Sequence, residues 1–164
     1  MIGRGRLVHE FVRQIEEPPH VVVFTDSDHA GCLQTRRGKS SSKLFYGSHL
    51  LRSTSTTQGV IDLSSGESEF HALVKGTSAG LGAVSMLKDL GVDISENTKI
   101  DKAILEVRVD ASAGRGIAVR RRAGRIRHIA TPTLRVQPLT QDGIVKITKN
   151  PWSLEPSRPW NQKS

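Results

Sequence analysis

The stretch Val21-Val22-Val23-Phe24-Thr25-Asp26-Ser27-Asp28 decides how the rest of this chain is interpreted. Its apolar start, with Phe and Thr following, has high β-propensity and predicts a buried strand. The strand then ends on two acids, Asp26 and Asp28. Ligands of open α/β sheets bind at the carboxyl ends of the strands, so Asp26 is a candidate for chemistry. The competing interpretation is that both acids only solvate a turn before Gly31.

The size and composition of the chain predict one basic domain. Its 164 residues are enough to bury a core. The net charge of +8 favours a polyanionic partner, either nucleic acid or an anionic membrane surface. We expect no membrane span, because no apolar run is long enough, and no secretory signal, because no apolar segment follows Arg4 and Arg6. The single cysteine, Cys32, excludes an internal disulfide framework and predicts an intracellular location, cytoplasmic or nuclear.

Both ends of the chain differ in composition from its middle. Residues 1–20 carry a short helical pattern that stops at Pro18-Pro19, which predicts a linker or the tail of a preceding unit. Residues 150–164 are rich in proline and have no periodicity, which predicts a disordered tail. The domain is therefore expected over residues 21–149.

The first half of the domain is expected to form strands and then a long helix. A loop is expected over residues 28–42, followed by a strand over 43–51 that breaks near Gly47-Ser48. Residues 50–58 are its expected antiparallel partner, and residues 60–63 are a candidate third strand. Ser64-Ser65-Gly66-Glu67 fits a capping box, in which Ser64 accepts from a backbone amide and Glu67 reaches back to the cap. The apolar residues from Phe70 to Leu90 then repeat at helical spacing up to Gly91. Gly76, Gly80 and Gly82 suggest that this helix packs closely on a sheet.

The second half of the domain contains another strand that ends in an acid. Ile104 to Asp110 has the apolar pattern of a strand, and helices are expected over residues 112–119 and 126–136. Asp142-Gly143 predicts a turn before a last strand over residues 144–148.

Three acids stand out by position: Asp26 and Asp110 at strand ends, and Glu69 in the first turns of the long helix. Glu67 and Glu69 point in different directions on a helix, and Glu69 adjoins the apolar face, so Glu69 is the one expected to face the sheet. Three carboxylates brought together need a cation, because their charges repel at short range. Oxygen ligands favour Mg²⁺ or Mn²⁺, and two such ions form the usual clamp for phosphodiester cleavage.

This arrangement resembles the ribonuclease H domain of Ty1/copia-type retrotransposon polyproteins. The matching segments are TDSDHAG (25–31), TRR (35–37), LSSGESEFHAL (63–73), VDASAGRGIA (109–118) and RHI (127–129). Together they extend over about residues 21–149. The resemblance implies an α/β, ribonuclease H-like fold with a mixed central sheet flanked by helices. It also implies hydrolysis of the RNA strand of RNA–DNA hybrids with two Mg²⁺ or Mn²⁺ ions, beside a reverse transcriptase in a parent polyprotein.

Residue by residue, Asp26, Glu69 and Asp110 match the first three metal-binding acids of that family. The fourth acid of the family follows the last strand, and residues 150–164 contain no matching pair. Ala130 also stands where the family usually has an acid after RHI, and Thr54 where an aromatic residue is common. The alternative to a nuclease is therefore an inactive retroelement remnant that only binds nucleic acid or serves a structural role.

A cluster of arginines lies close to the third acid in the sequence. Six arginines in so short a span argue for phosphate contacts, which fix position without reading sequence, although a solvated face is the simpler explanation. The candidate nucleic-acid-binding residues are Arg115, Arg120, Arg121, Arg122, Arg125 and Arg127.

Other functions fit the motifs less well. Transposases and integrases of the same fold order their acids Asp, Asp, Glu, whereas this chain has Asp, Glu, Asp. The Gly114-Arg115-Gly116 segment lacks the third glycine of a dinucleotide loop. The segment 29–32 supplies only half of a zinc site, and residues 66–70 lack the final glycine of a nucleophile elbow.

Overall fold

The computed structural model describes residues 19–29, 37–94, 103–110, 115, 116, 118 and 135–150. Five strands and two helices have both of their ends among these residues, and residues 115, 116 and 118 are also helical. In chain order these strands and helices are β1 (Val21–Asp28), β2 (Lys39–Tyr46), β3 (His49–Thr57), α1 (Ser65–Asp89), β4 (Leu105–Val109), α2 (Val136–Gln141) and β5 (Val145–Lys149).

The five strands form one mixed sheet in the order β3-β2-β1-β4-β5. Strand β1 pairs antiparallel with β2 and parallel with β4, while β2–β3 is antiparallel and β4–β5 is parallel. The antiparallel half needs only short turns, whereas the parallel half needs long crossovers, and α1 lies in the first of these. The predicted α/β class with a mixed central sheet flanked by helices is confirmed.

Helix α1 lies close against the centre of the sheet because two of its glycines face β1 and β4. A Cβ atom at Gly76 would lie 2.2 Å from Thr25 Cγ2, and one at Gly80 would lie 2.7 Å from Leu105 Cδ1. The expected close packing is therefore confirmed at these two glycines. It is wrong for Gly82, where an added Cβ would meet nothing within 4 Å.

The core lies between α1 and this face of the sheet. Phe70 and Leu73 of the helix are fully buried together with Val23, Leu105 and Val107 of the strands. Because side chains alternate along a strand, the neighbouring positions project from the opposite side, which we call the far face. The far face carries, among others, Val22, Phe24 and Asp26 of β1, Ser41, Lys43 and Phe45 of β2, and Glu106 and Arg108 of β4.

The predicted loop over residues 28–42 is wrong at both of its ends. Strand β1 continues to Asp28, which pairs with Lys39 at the start of β2. Serine-rich segments resemble loops in composition, but these serines find partners across the strands, as in the 2.8 Å hydrogen bond between the Ser42 and Thr54 hydroxyls. The predicted break at Gly47 is confirmed, since this residue has a φ of 55° in the turn between β2 and β3.

The candidate strand over residues 60–63 is wrong, because this segment is a loop between β3 and α1. Its apolar members Val60, Ile61 and Leu63 are exposed, and Asp62 is buried instead. Asp62 Oδ1 lies 2.6 Å from Nδ1 of His71 on α1. The hydrophobic pattern predicts that the apolar residues of this segment are buried and Asp62 exposed, and the structure shows the opposite.

The remaining elements agree with the sequence where they are described. Gly91 follows α1 with a φ of 77°, and Gly143 begins the turn before β5 with a φ of 72°. The predicted helix over 126–136 and both chain ends lie almost entirely outside the described residues. Residues 115, 116 and 118, within the predicted helix over 112–119, are helical, and a further described helix begins at Val136. Among the described helices, none combines the length and hydrophobicity needed to cross a membrane.

Candidate active site

Parallel pairing of β1 with β4 brings the first and third acids to the same end of the sheet. Thr25 pairs with Val109, so the next residues along the two strands are Asp26 and Asp110. Both acids are exposed, although the residues before them are buried. The Asp26 carboxylate accepts a hydrogen bond of 2.8 Å from the backbone amide of Ser27, which orients one of its oxygens.

The second acid is positioned by the first turn of α1. Ser64 caps the helix by accepting a hydrogen bond of 3.3 Å from the Glu67 amide, as the capping box predicts. The Glu67 carboxylate accepts from the amide of Leu63 at 2.9 Å, one residue before the expected partner. Glu67 is thereby buried at the cap, and Glu69 is half-buried on the side of the helix that faces the strand ends.

Asp26, Glu69 and Asp110 border one cavity of about 180 Å³, together with Thr25, Ser27 and Val109. The Ser27 hydroxyl is buried and has no hydrogen-bond partner among the described residues. Three carboxylates and a hydroxyl form the hard oxygen set that suits Mg²⁺ or Mn²⁺. In the geometry described, however, no three histidine, cysteine or acidic side chains are arranged closely enough to hold a metal ion together. The residue types fit the ions, and the ligand assignment stays a prediction.

A second and larger cavity of about 640 Å³ adjoins the first, because Thr25, Asp26 and Asp110 line both. We call it the far-face groove. Its walls combine hydroxyl groups, one cation and two aromatic rings, and it is lined by Phe24, Thr25, Asp26, Ser41, Ser42, Lys43, Phe45, Ser53, Thr54, Ser55, Asp110 and Asn150. Hydroxyls and lysines are typical contacts of nucleic-acid backbones, and aromatic rings stack on bases.

The aromatic floor of the groove is fixed from two sides. The rings of Phe24 and Phe45 meet edge to face, with centroids 5.6 Å apart. The guanidinium carbon of Arg108 lies 5.3 Å from the centroid of Phe24, within the range of a cation–π contact. Arg108 also binds the Glu106 carboxylate through two hydrogen bonds of 3.0 and 3.1 Å.

Glu106 is the centre of a buried polar network on the far face. Its carboxylate also accepts from the Thr148 hydroxyl at 2.7 Å and lies 3.1 Å from Nε2 of His20. Burial alone raises the pKa of this carboxyl group, but the hydrogen bonds from His20, Arg108 and Thr148 outweigh it and lower the pKa from 4.5 to about 2. Glu106 therefore stays ionised inside the protein.

The three acids that the sequence singles out border one cavity, and their role stays a prediction. The sequence does not indicate the Glu106 network or the far-face groove. The partners of Glu106 are distant in sequence, His20 by 86 positions, so no local spacing reveals them. Of the six candidate arginines, only Arg115 lies among the described residues, where it is exposed. Arg120, Arg121, Arg122, Arg125 and Arg127 lie outside them, and their role stays a prediction.

No protein-family model matches the chain, and no curated protein matches it. Among solved structures, LC11-RNase H1 isolated from compost is 13% identical with a TM-score of 0.46, and the match covers 80% of this chain and 84% of that one. RNase H1 from Halobacterium salinarum NRC-1 is 16% identical with a TM-score of 0.42, over 80% and 86% of the two chains. LC11-RNase H1 in complex with an RNA/DNA hybrid is 17% identical with a TM-score of 0.43, over 80% and 85%.

Similarities at this level of identity and TM-score say nothing about the activity of this chain. None of them indicates a Ty1/copia origin, which remains an implication of the sequence motifs. The α/β class rests on the sheet of this chain itself.

Proposed function

We propose that this protein is a divalent-metal-dependent nuclease of the ribonuclease H type, which hydrolyses the RNA strand of RNA–DNA hybrids. The observation that carries the proposal is that Asp26, Glu69 and Asp110 come from two strands and a helix and border one cavity. The motif order strand–Asp, helix–Glu, strand–Asp supports this class of nuclease. The far-face groove, which Asp26 and Asp110 also line, adds hydroxyls and Lys43.

In this mechanism the three carboxylates supply oxygen ligands at the end of the sheet. Two Mg²⁺ or Mn²⁺ ions, when bound there, would supply an activated water and charge stabilisation for the leaving oxygen. Asp26, already oriented by the Ser27 amide, and Asp110 hold their positions through paired strands, while Glu69 depends on the rotation of α1. The groove provides hydrogen-bond donors for a phosphate backbone, which set the position of the scissile strand.

Cleavage of an end-labelled RNA–DNA hybrid tests the proposal. We expect Mg²⁺-dependent cleavage of the RNA strand that EDTA abolishes, and a loss of at least about a hundredfold in Asp26→Asn, Glu69→Gln and Asp110→Asn. Asp28→Asn is the matched control, because Asp28 lies on the same strand, is exposed and does not line the cavity. Equal rates in wild type and Asp26→Asn would rule the nuclease out.

The second candidate is an inactive retroelement remnant that binds nucleic acid without cutting it. Two observations favour it: the family's fourth acid has no match in the sequence, and no group of three potential ligands among the described residues could hold a metal ion. Salt-dependent binding of the hybrid with no cleavage in Mg²⁺ or Mn²⁺ supports this remnant. A parent polyprotein with an adjoining reverse transcriptase is part of either proposal, and the flanking reading frame tests it.

A further inference from the structure

The mechanism above leaves one buried polar cluster beside the candidate site without a role. Gln58 follows the end of β3, and only 4% of its surface is exposed. Its amide nitrogen donates to the Ser40 hydroxyl and to the backbone carbonyl of Ser68, both at 2.9 Å. Its amide oxygen accepts from the Ser68 hydroxyl at 3.2 Å. Gln58 thus forms two hydrogen bonds to one residue of α1 and a third to β2.

The cluster is packed tightly against the ends of two strands. A Cβ atom at Gly38 would lie 2.6 Å from Gln58 Oε1 and 2.7 Å from Ser68 Oγ, so a larger residue would displace the cluster. The same atom would lie 3.0 Å from the carbonyl oxygen of Asp28 at the end of β1. The backbone N–H of Gln58 also donates to the Gly38 carbonyl at 2.8 Å. Gln58 therefore connects the first turn of α1 to the strand ends near the cavity.

The hydrogen bonds of Gln58 bear on the rotation of α1 about its own axis, which helix capping does not set. The Ser64 cap accepts from the Glu67 amide, but this hydrogen bond is local and does not set how α1 is rotated against the sheet. Ser68 is completely buried and held at both its hydroxyl and its carbonyl. Successive residues of an α-helix are about 100° apart, so fixing Ser68 also fixes the direction of Glu69.

We propose that Gln58 is a positioning residue that holds Glu69 at the cavity by setting the rotation of the first turn of α1. The expected effect of Gln58 on cleavage rests on the proposed function, whereas its role in positioning Glu69 does not. Gln58 lines neither the cavity nor the groove, so it acts through Ser68 and Glu69 and not on the substrate.

The test replaces Gln58 by the similarly sized Met, which retains the volume and removes all three side-chain hydrogen bonds. We expect kcat for hybrid cleavage to fall by about 10- to 100-fold, because small displacements of a reacting group cost rate on this scale. KM for the hybrid should stay within about twofold, since the groove is untouched. Ser68→Ala removes only the hydrogen bond between the Ser68 hydroxyl and Gln58 Oε1, so it should lower kcat by less. It takes the place of Gln58→Met if that variant does not fold.

Thr77→Val is the matched control on the same helix. Thr77 is 1% exposed, and its hydroxyl donates to the Leu73 carbonyl at 2.8 Å, more than two turns beyond Ser68. This variant should lower Tm without changing kcat, with all rates measured well below the Tm of every variant. A fall in kcat in Thr77→Val as large as in Gln58→Met would overturn the proposal, because general loss of stability would then explain both.

Mn²⁺ binding separates failure of this proposal from failure of the proposed function. If the wild type binds Mn²⁺ in a manner that Asp26→Asn abolishes but does not cleave the hybrid, the proposed nuclease is overturned. In that case Gln58→Met should still weaken Mn²⁺ binding about tenfold, and Thr77→Val should not. Unchanged kcat and unchanged Mn²⁺ affinity in Gln58→Met overturn the positioning role alone. A wild type that neither cleaves nor binds Mn²⁺ overturns both.

Discussion

Glu106 keeps its charge in a buried position because three side chains donate to it or pair with it. A carboxyl group whose pKa is lower in the folded state than in the unfolded state stabilises the fold above the unfolded pKa. The shift from 4.5 to about 2 corresponds to on the order of 3 kcal/mol. That contribution is complete above about pH 5 and is lost as the pH falls from 4.5 through 2.

We predict that Glu106→Gln lowers the free energy of unfolding by about 3 kcal/mol at pH 7, because it leaves the half-buried Arg108 and the buried His20 without their carboxylate. The difference from wild type should shrink as the pH falls toward 2, where wild-type Glu106 is itself about half protonated. Urea unfolding at pH 7 and at pH 3 measures both values. Asp89→Asn, at an exposed carboxylate, is the control and should change stability by less than about 0.5 kcal/mol. A difference that is the same at both pH values would contradict the linkage.

At the scale of the element, the fit of α1 to the sheet depends on Gly76. Gly76→Ala should destabilise the protein by about 1–3 kcal/mol, because the new methyl group would lie 2.2 Å from Thr25 Cγ2 and one of the two elements must move. Gly82→Ala on the same helix is the matched control. Its methyl group meets nothing within 4 Å, so it should stabilise the protein by about 0.5–1 kcal/mol through helix propensity. Thermal unfolding of the two variants should therefore shift in opposite directions.

The cap of α1 supports a second prediction at this scale. Ser64→Ala should cost about 1 kcal/mol of stability, because the Glu67 amide loses its side-chain acceptor and keeps only the Ser64 carbonyl at 3.2 Å. Ser78→Ala provides a contrast within the same helix, since its exposed hydroxyl bonds back to the Val74 carbonyl in the helix interior. Because this hydroxyl is exposed and can bond to water instead, its loss should leave the variant within about 0.5 kcal/mol of wild type in urea unfolding. Equal losses in both variants would exclude a specific role for the cap.

The elements that the sequence predicts well are those whose signal is local. The sequence predicts that Asp26 and Asp110 lie at strand ends because apolar runs end on them, and that Glu69 faces the sheet because a cap and a helical period fix its phase. The structure places all three at one cavity, and their catalytic role stays a prediction. The start of β2 was missed because Lys39 to Ser42 has the composition of a loop, and only pairing with β1 and β3 makes it a strand. Gln58 and Glu106 were missed because their partners come from other elements, and no spacing along the chain records such contacts.

At the scale of the whole molecule, the net charge of +8 makes salt dependence a test of nucleic-acid binding. We predict that affinity for an RNA–DNA hybrid falls by at least about tenfold between 50 and 200 mM salt, because each neutralised phosphate releases counterions. Lys43→Gln should lower the slope of log K against log salt by about 1, since Lys43 lines the groove. Lys88→Gln, at the exposed end of α1, should leave the slope unchanged. Binding that does not respond to salt would contradict a phosphate-binding surface.

The position of β4 between β1 and β5 also bears on when during synthesis the acids can meet. A chain released from the ribosome only as far as residue 94 contains β1, β2, β3 and α1, which are joined by short connections and can assemble early. Asp110 reaches Asp26 only after β4 has inserted beside a strand that was made more than 80 residues earlier. Nascent chains should therefore acquire protease resistance in their first half before they gain any affinity for divalent ions.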